Sequence, residues 1–172
     1  MVASPALIAE AIDATATAAE PNMQDITNYV QLTDLVGTSG QPTEQQFKAI
    51  ADAGFTAVIN LAMPDSDKAI PEEGSIVTGL GMSYVHIPVP FDAPSCAHLK
   101  QFSGAMQAFD GQRVWVHCVV NARVSAFMYQ YLTKVKGLPE AESRSPILER
   151  WEPDMDEVWR NFLAMPAADF VS

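Results

Sequence analysis

Cysteine is scarce in this 172-residue chain, which has two, Cys96 and Cys118. Two thiols cannot build a disulfide framework, and a chain long enough to bury a sizeable core needs none, so a reducing, cytoplasmic location is expected. Charge is scarce too: Asp, Glu, Lys and Arg make up 18% of the residues, below the usual ~25%. Lys and Arg number 10 against 21 Asp and Glu, a formal net charge of −11, which repels polyphosphates and anionic lipid surfaces. No nucleic acid and no membrane partner is therefore expected. Long apolar runs are missing as well. The longest charge-free stretch, Gly74 to Phe91, is broken by Pro88 and Pro90 and contains three glycines, so it reads as no membrane helix. No Lys or Arg precedes Lys48, and Glu10 interrupts the early apolar run. Both features argue against a secretory leader, although Ala14-Thr15-Ala16 and Ala16-Thr17-Ala18 mimic a cleavage site. The three histidines, His86, His98 and His117, lack ligand spacing, and Cys96-x-His98 is a pair without further partners, so neither metal nor cofactor is expected.

What the chain does have is an ordinary apolar share, 48%, enough to exclude disorder for the bulk of it and to predict one globular domain. Residues 1 to about 24 are rich in Ala and Thr and read as a flexible or partly helical tail, leaving residues 25–172 as the domain. Tyr29 to Leu32 and Leu35-Val36 flank Thr33-Asp34 as two short strands flank a tight turn. Thr43 with Gln46 three residues on predicts a capped helix start, and Gly54 its left-handed stop. Strand and helix then alternate: Thr56 to Leu61 (strand), Pro71 to Leu80 (helix), Ser83 to Val89 (strand), Ser95 to Phe109 (helix) and Arg113 to His117 (strand). That order predicts an α/β fold, a mainly parallel sheet flanked by helices. Glu72 and Glu73 read as acids in a first helical turn and Ser95 as an N-cap. A further helix from about Val124 should end at Lys134, Lys136 and Gly137, and beyond Pro139 short helices should break at Pro146, Pro153 and Pro166, with Trp151 and Trp159 as packing anchors.

The stretch Val114 to Ser125 carries the chemistry. A strand ends at His117, Cys118 follows at its carboxyl edge, and a helix begins soon after, so backbone N–H groups and a helix N-terminus can converge on an anion. The same field favours thiolate over thiol and makes a nucleophile of Cys118. Arg123 adds a planar fork suited to a phosphate-like group. A cysteine after an apolar strand is by itself more often packing than chemistry; the strand, His-Cys, Arg and helix together favour chemistry.

His117-Cys118 followed by Arg123 and Ser125 on a strand-loop-helix resembles the signature loop of protein tyrosine and dual-specificity phosphatases. Ser39-Gly40-Gln41-Pro42 and the strand Ala57 to Leu61 extend the likeness to a bacterial subfamily of phosphatase-like proteins, some of them described as sulfur transferases. The resemblance spans roughly Asn28 to Leu163. It implies a phosphatase-type fold and a phosphorylated substrate, either protein or small molecule. It also implies Cys118 as nucleophile, a cradle of Arg123 with the amides of Val119, Val120, Asn121 and Ala122, and Ser125 assisting departure of the thiolate. Gln41 lines the pocket by the same likeness. One departure matters: the signature has five residues between Cys and Arg, and here there are four. Either the loop is one residue shorter, or Val124 takes the Arg position and Arg123 reaches in from one place early. Asn121 also stands where Gly is usual, and Asn tolerates left-handed backbone. A Cys-x4-Arg loop has the length seen in many rhodanese-type sulfurtransferases, so a Cys118 persulfide is the alternative chemistry, and a non-catalytic phosphate-binding module the third reading.

A phosphatase also needs an acid for the leaving oxygen. Asp92, in Pro90-Phe91-Asp92-Ala93-Pro94, follows a predicted parallel strand at the edge where α/β sites assemble; as a solvated turn former it is equally well explained. Asp65 and Asp67 are weaker rivals. Cys96 is placed to trap Cys118 as a disulfide under oxidation, with packing the more ordinary explanation.

Overall fold

The structure is a computed structural model and describes residues 22–171. Almost all of the expected tail lies outside the described residues. Five strands form one sheet in the order β1-β2-β5-β3-β4: β1 (Val30–Gln31), β2 (Val36–Ser39), β3 (Ala57–Asn60), β4 (Ser83–His86) and β5 (Val114–His117). β1 runs antiparallel to β2, and the other neighbours are parallel. The helices are α1 (Glu44–Asp52), α2 (Glu73–Gly79), α3 (Cys96–Ala108), α4 (Ala122–Gln130), α5 (Glu140–Ser143), α6 (Pro146–Trp151) and α7 (Glu157–Leu163). This is the α/β architecture that the alternating pattern predicts.

Local chemistry accounts for the element ends. Thr43 caps α1 in a reciprocal box with Gln46, and Ser95 caps α3 in the same way with His98 standing in for the usual Glu or Gln. Gly54 and Gly137 adopt positive φ beyond α1 and α4. The strands alternate between two cores. Trp115 and Val58 pack with Phe47, Ile50, Phe55 and Val77 under α1 and α2, whereas Val114, Val116, Ala57 and Ile59 pack with Phe102, Phe127, Trp159 and Phe162 under α3, α4 and α7. Gly37 is required by the first core, because a Cβ there would stand 2.6 Å from Cε3 of Trp115.

Several boundaries differ from the sequence reading. The second strand runs on to Ser39 instead of ending at Val36, and its polar residues are buried because each is bonded: Ser39 Oγ accepts from Trp115 Nε1 at 3.0 Å and donates to the Gly40 carbonyl at 2.7 Å. β4 stops at His86 rather than Val89, where Pro88 and Pro90 have no N–H to extend a ladder. α4 begins at Ala122, two residues before the expected start, and its last turn widens into a π-helix over Tyr131–Val135. Pro146 opens α6 rather than breaking a helix, its missing N–H costing nothing at a first turn capped by Ser145.

Candidate active site

The parallel strands β2, β5, β3 and β4 end in register, and Ser39, His117, Asn60 and His86 form a row across the carboxyl edge of the sheet. Cys118 is the next residue on the central strand. It is 1% exposed and packs in the α3/α4 core, while the alternation of β5 sends His117 to the other face, against the Phe47 ring.

The loop after Cys118 is held from outside. The Val119 carbonyl accepts from the Gln41 N–H at 3.0 Å, and the Val120 carbonyl from Asn28 Nδ2 at 2.9 Å. In a trans peptide the N–H opposes the C=O, so binding the Val119 carbonyl to Gln41 turns the Val120 N–H the other way. Asn121 takes the left-handed conformation, φ 71°, and its Nδ2 donates to the Asn28 carbonyl at 2.8 Å and to Thr38 Oγ1 at 3.1 Å. α4 then starts at Ala122, and its first-turn N–H groups have no intrahelical acceptor. The Val120 N–H and the helix N-terminus can together cradle an anion beside the thiol.

Gly40 makes this packing possible, since a Cβ on it would lie 2.5 Å from the Val119 oxygen. The sequence gives no sign of this close approach to a segment 79 positions away. Ser125, also buried, donates through Oγ to the Ala122 carbonyl at 2.7 Å. The Arg123 guanidinium is buried at the start of α4 and gives one of its donors, at 2.7 Å, to the carbonyl of Val89. Arg123 is therefore beside the loop that carries Asp92, with the Phe91 ring centroid 6.0 Å from its Cζ. Asp92 itself is exposed. Its loop is anchored by Phe91, whose carbonyl accepts from Trp159 Nε1 at 2.8 Å and whose ring meets Trp159 and Trp151.

Gln41 is placed differently from a pocket-lining residue. Its Nε2 is turned onto Glu73 Oε2 at 2.6 Å and onto the Pro42 carbonyl at 3.1 Å. Glu73 is the residue that sequence reasoning missed. Read as an acid complementing a helix dipole, it is a buried carboxylate whose Oε1 also accepts from His117 Nε2 at 2.8 Å, Asn60 Nδ2 at 3.0 Å and the Tyr84 hydroxyl at 3.0 Å. Burial pushes its pKa up, but the bond and charge of His117, with the bonds from Gln41 and Tyr84, outweigh burial and hold it below the ordinary glutamate range. Burial, opposed by the bond from Asn60 and reinforced by the Glu73 charge, raises the Tyr84 pKa far above its ordinary value, so its hydroxyl keeps the proton it donates. The polar ends of two otherwise apolar strands, Asn60 and His117, were the signal that could have located this network.

Cys96 is half-buried, with Sγ 2.6 Å from the Asp169 carbonyl, and both cysteines are free thiols. Among the described residues no group of His, Cys, Asp or Glu could hold a metal ion, and no helix is long and apolar enough to cross a membrane.

No protein-family model and no curated protein matches the chain. Solved structures do. A DUF442 protein assigned to the phosphatases, from Shewanella putrefaciens CN-32, is 36% identical, with 86% of this chain and 96% of that one covered at a TM-score of 0.77. Tk-PTP in its active form is 23% identical over 80% of this chain and 94% of that one, TM-score 0.64. TpbA of P. aeruginosa, in complex with phosphotyrosine, is 16% identical over 87% of this chain and 86% of that one, TM-score 0.58. The two more distant likenesses are of fold, and that fold is the one tyrosine and dual-specificity phosphatases share.

Proposed function

The chain belongs to the DUF442 family of phosphatase-like proteins, and from that premise we propose that it is a cysteine-dependent phosphatase hydrolysing phosphate monoesters. The observation that carries the reading is Cys118 directly after the central strand, in a short loop bent by a left-handed Asn121 that leads into the N-terminus of α4. The Cys118 thiolate attacks phosphorus, and a P–S bond forms as the bond to the leaving oxygen breaks. Asp92 gives that oxygen its proton. Water then attacks the phosphocysteine while Asp92 takes up a proton, and Ser125 donates to the departing thiolate. The amides of Val119, Val120, Asn121 and Ala122, with Arg123, hold the equatorial oxygens, where preorganised donors lower the barrier most. Gln41 acts through Glu73 and its backbone bond to the loop. The chemistry uses no cofactor, and the setting that suits free thiols is cytoplasmic.

A specific feature supports the sulfur chemistry as second reading. Four residues separate Cys118 from Arg123, and the arginine already spends a donor on the Val89 carbonyl, which suits a cradle smaller than a phosphate needs. An assay of an aryl phosphate beside thiosulfate, with Cys118→Ser as control, separates the two. The phosphatase reading expects aryl phosphate turnover that the variant lacks, because serine there has no accessible anion. A persulfide on Cys118 without phosphate release would replace that reading, and tight binding of a phosphate analogue with no turnover at all would leave a binding module.

A further inference from the structure

A second cleft opens at the amino edge of the sheet, about 13 Å along β5 from Cys118. Its volume is about 280 Å³. Val36 and Val114, paired at the starts of β2 and β5, line it together with Met106 of α3 and Met128 of α4. Phe109 and Tyr131 add two rings, and Leu35 and Leu138 line it while 40% and 38% exposed. A single exposed leucine is ordinary, but two flanking one apolar cleft mark a surface that the described residues leave uncovered. Charge is balanced within the cleft. Its two charged lining residues, Asp110 and Lys136, are paired at 2.6 Å, so an ion arriving there would lose hydration without gaining an unpaired partner. Burial pushes the Tyr131 pKa up against the charge of Lys136, so its phenol presents no charge either. The backbone is also unusual here: α4 widens into the π-helix over Tyr131–Val135, and Tyr131 and Leu132 of that turn line the cleft. Such widened turns are frequent at functional sites.

We propose that this cleft is a binding site for a compact, uncharged aromatic molecule of one or two rings, separate from the Cys118 site. Size sets the ring count. An apolar cavity of ~150 Å³ holds benzene, and about 280 Å³ admits a second ring. The lining selects an aromatic over an alkyl chain: Phe109 and Tyr131 gain from ring packing, and the thioethers of Met106 and Met128 from sulfur–aromatic contact, each beyond the burial of apolar area. The paired Asp110 and Lys136 select an uncharged ligand over an ion. None of this involves the thiol, so the site stands whether or not the phosphatase reading does.

The test titrates indole into the full chain labelled with 13C-methyl methionine. Met106→Leu and Met128→Leu, swaps that nearly conserve volume, assign the two reporting methyls. Indole should shift both saturably, with a Kd on the order of 10⁻⁴ M for so small a ligand, and should leave Met63, which lines the separate cavity beside Glu73, unmoved. Cyclohexanol, tryptamine and indole-3-acetate should each bind on the order of 10-fold more weakly, the first for want of a ring face and the others for their charge. Leu138→Glu, a change at an exposed position, should weaken indole binding by a similar factor while the methionine spectrum without ligand stays that of the folded protein. No saturable shift, an equal shift at Met63, unchanged binding by Leu138→Glu, or tighter binding of indole-3-acetate than of indole overturns the proposal. An affinity for indole that falls as protein concentration rises overturns it by giving the cleft to a second copy of the chain. A nuclear Overhauser contact between residues 1–21 and the Met128 methyl that indole fails to displace overturns it by giving the cleft to that segment.

Discussion

At the scale of single residues, Glu73 couples the site to the stability of the fold. Burial raises its pKa and its partners lower it further than that, so in the folded chain the pKa lies below the ordinary value near 4.5. A carboxylate depressed in this way contributes stability that is complete above its unfolded value and is lost as pH falls through the folded one. The unaltered protein is therefore expected to lose Tm below about pH 4.5 more steeply than Glu73→Gln, which has no proton to gain there. Parallel Tm curves for the two proteins would deny Glu73 that role. Gly40 is the second such residue. Gly40→Ala puts a methyl 2.5 Å from the Val119 oxygen and 3.0 Å from Thr27 Cγ2, a backbone clash that should cost ~1–3 kcal/mol in urea unfolding. Because the clash displaces the Cys118 loop itself, turnover should fall further than the stability loss explains. A variant with full activity would show that the loop yields without consequence.

Elements decide how the remaining site residues meet. The segment after β4 is tied to α4 through Arg123 and the Val89 carbonyl, and to α7 through Trp159 and the Phe91 carbonyl. Trp159→Phe keeps the ring contacts and removes the N–H, so a stability loss of ~1 kcal/mol is expected in chemical denaturation. A loop so loosened should also lower kcat on aryl phosphates with poor leaving groups. Asp92→Asn tests the same loop chemically. General acid catalysis contributes ~10²–10⁴-fold, so the variant should be slowed by that range on a poor leaving group and less as leaving-group pKa falls. Equal slowing of every aryl phosphate would move the acid elsewhere, with Asp65 and Asp67 the next to test. The helices here were legible because their signals are local: Thr43 with Gln46, and Ser95 before the Leu99, Phe102 and Met106 stripe. β2 was less so, since Thr38 and Ser39 look like loop residues until partners from other elements satisfy them.

The whole molecule is a sheet between two unequal cores, and α4 is the axis of the larger one. From Arg123 to Gln130 every residue of that helix is buried. Phe127 meets Phe102, Trp159 and Phe162 edge-on or stacked, so Phe127→Ala should cost ~3–5 kcal/mol in equilibrium unfolding. A loss below ~1 kcal/mol would mean that the core closes over the cavity.

The order of strands and helices, the caps and the position of Cys118 between a strand and a helix follow from the sequence by itself, because hydrophobic period and turn chemistry act over a few neighbouring residues. Tertiary structure alone decided that Ser39, His117, Asn60 and His86 end in one row, that Gly40 lies against Val119, and that Glu73, 44 positions from His117, is its partner. Strand register and the burial of a charge are settled by contacts between distant segments. A glutamate in a first helical turn looks the same in sequence whether it faces water or, as here, four donors at the carboxyl edge of the sheet.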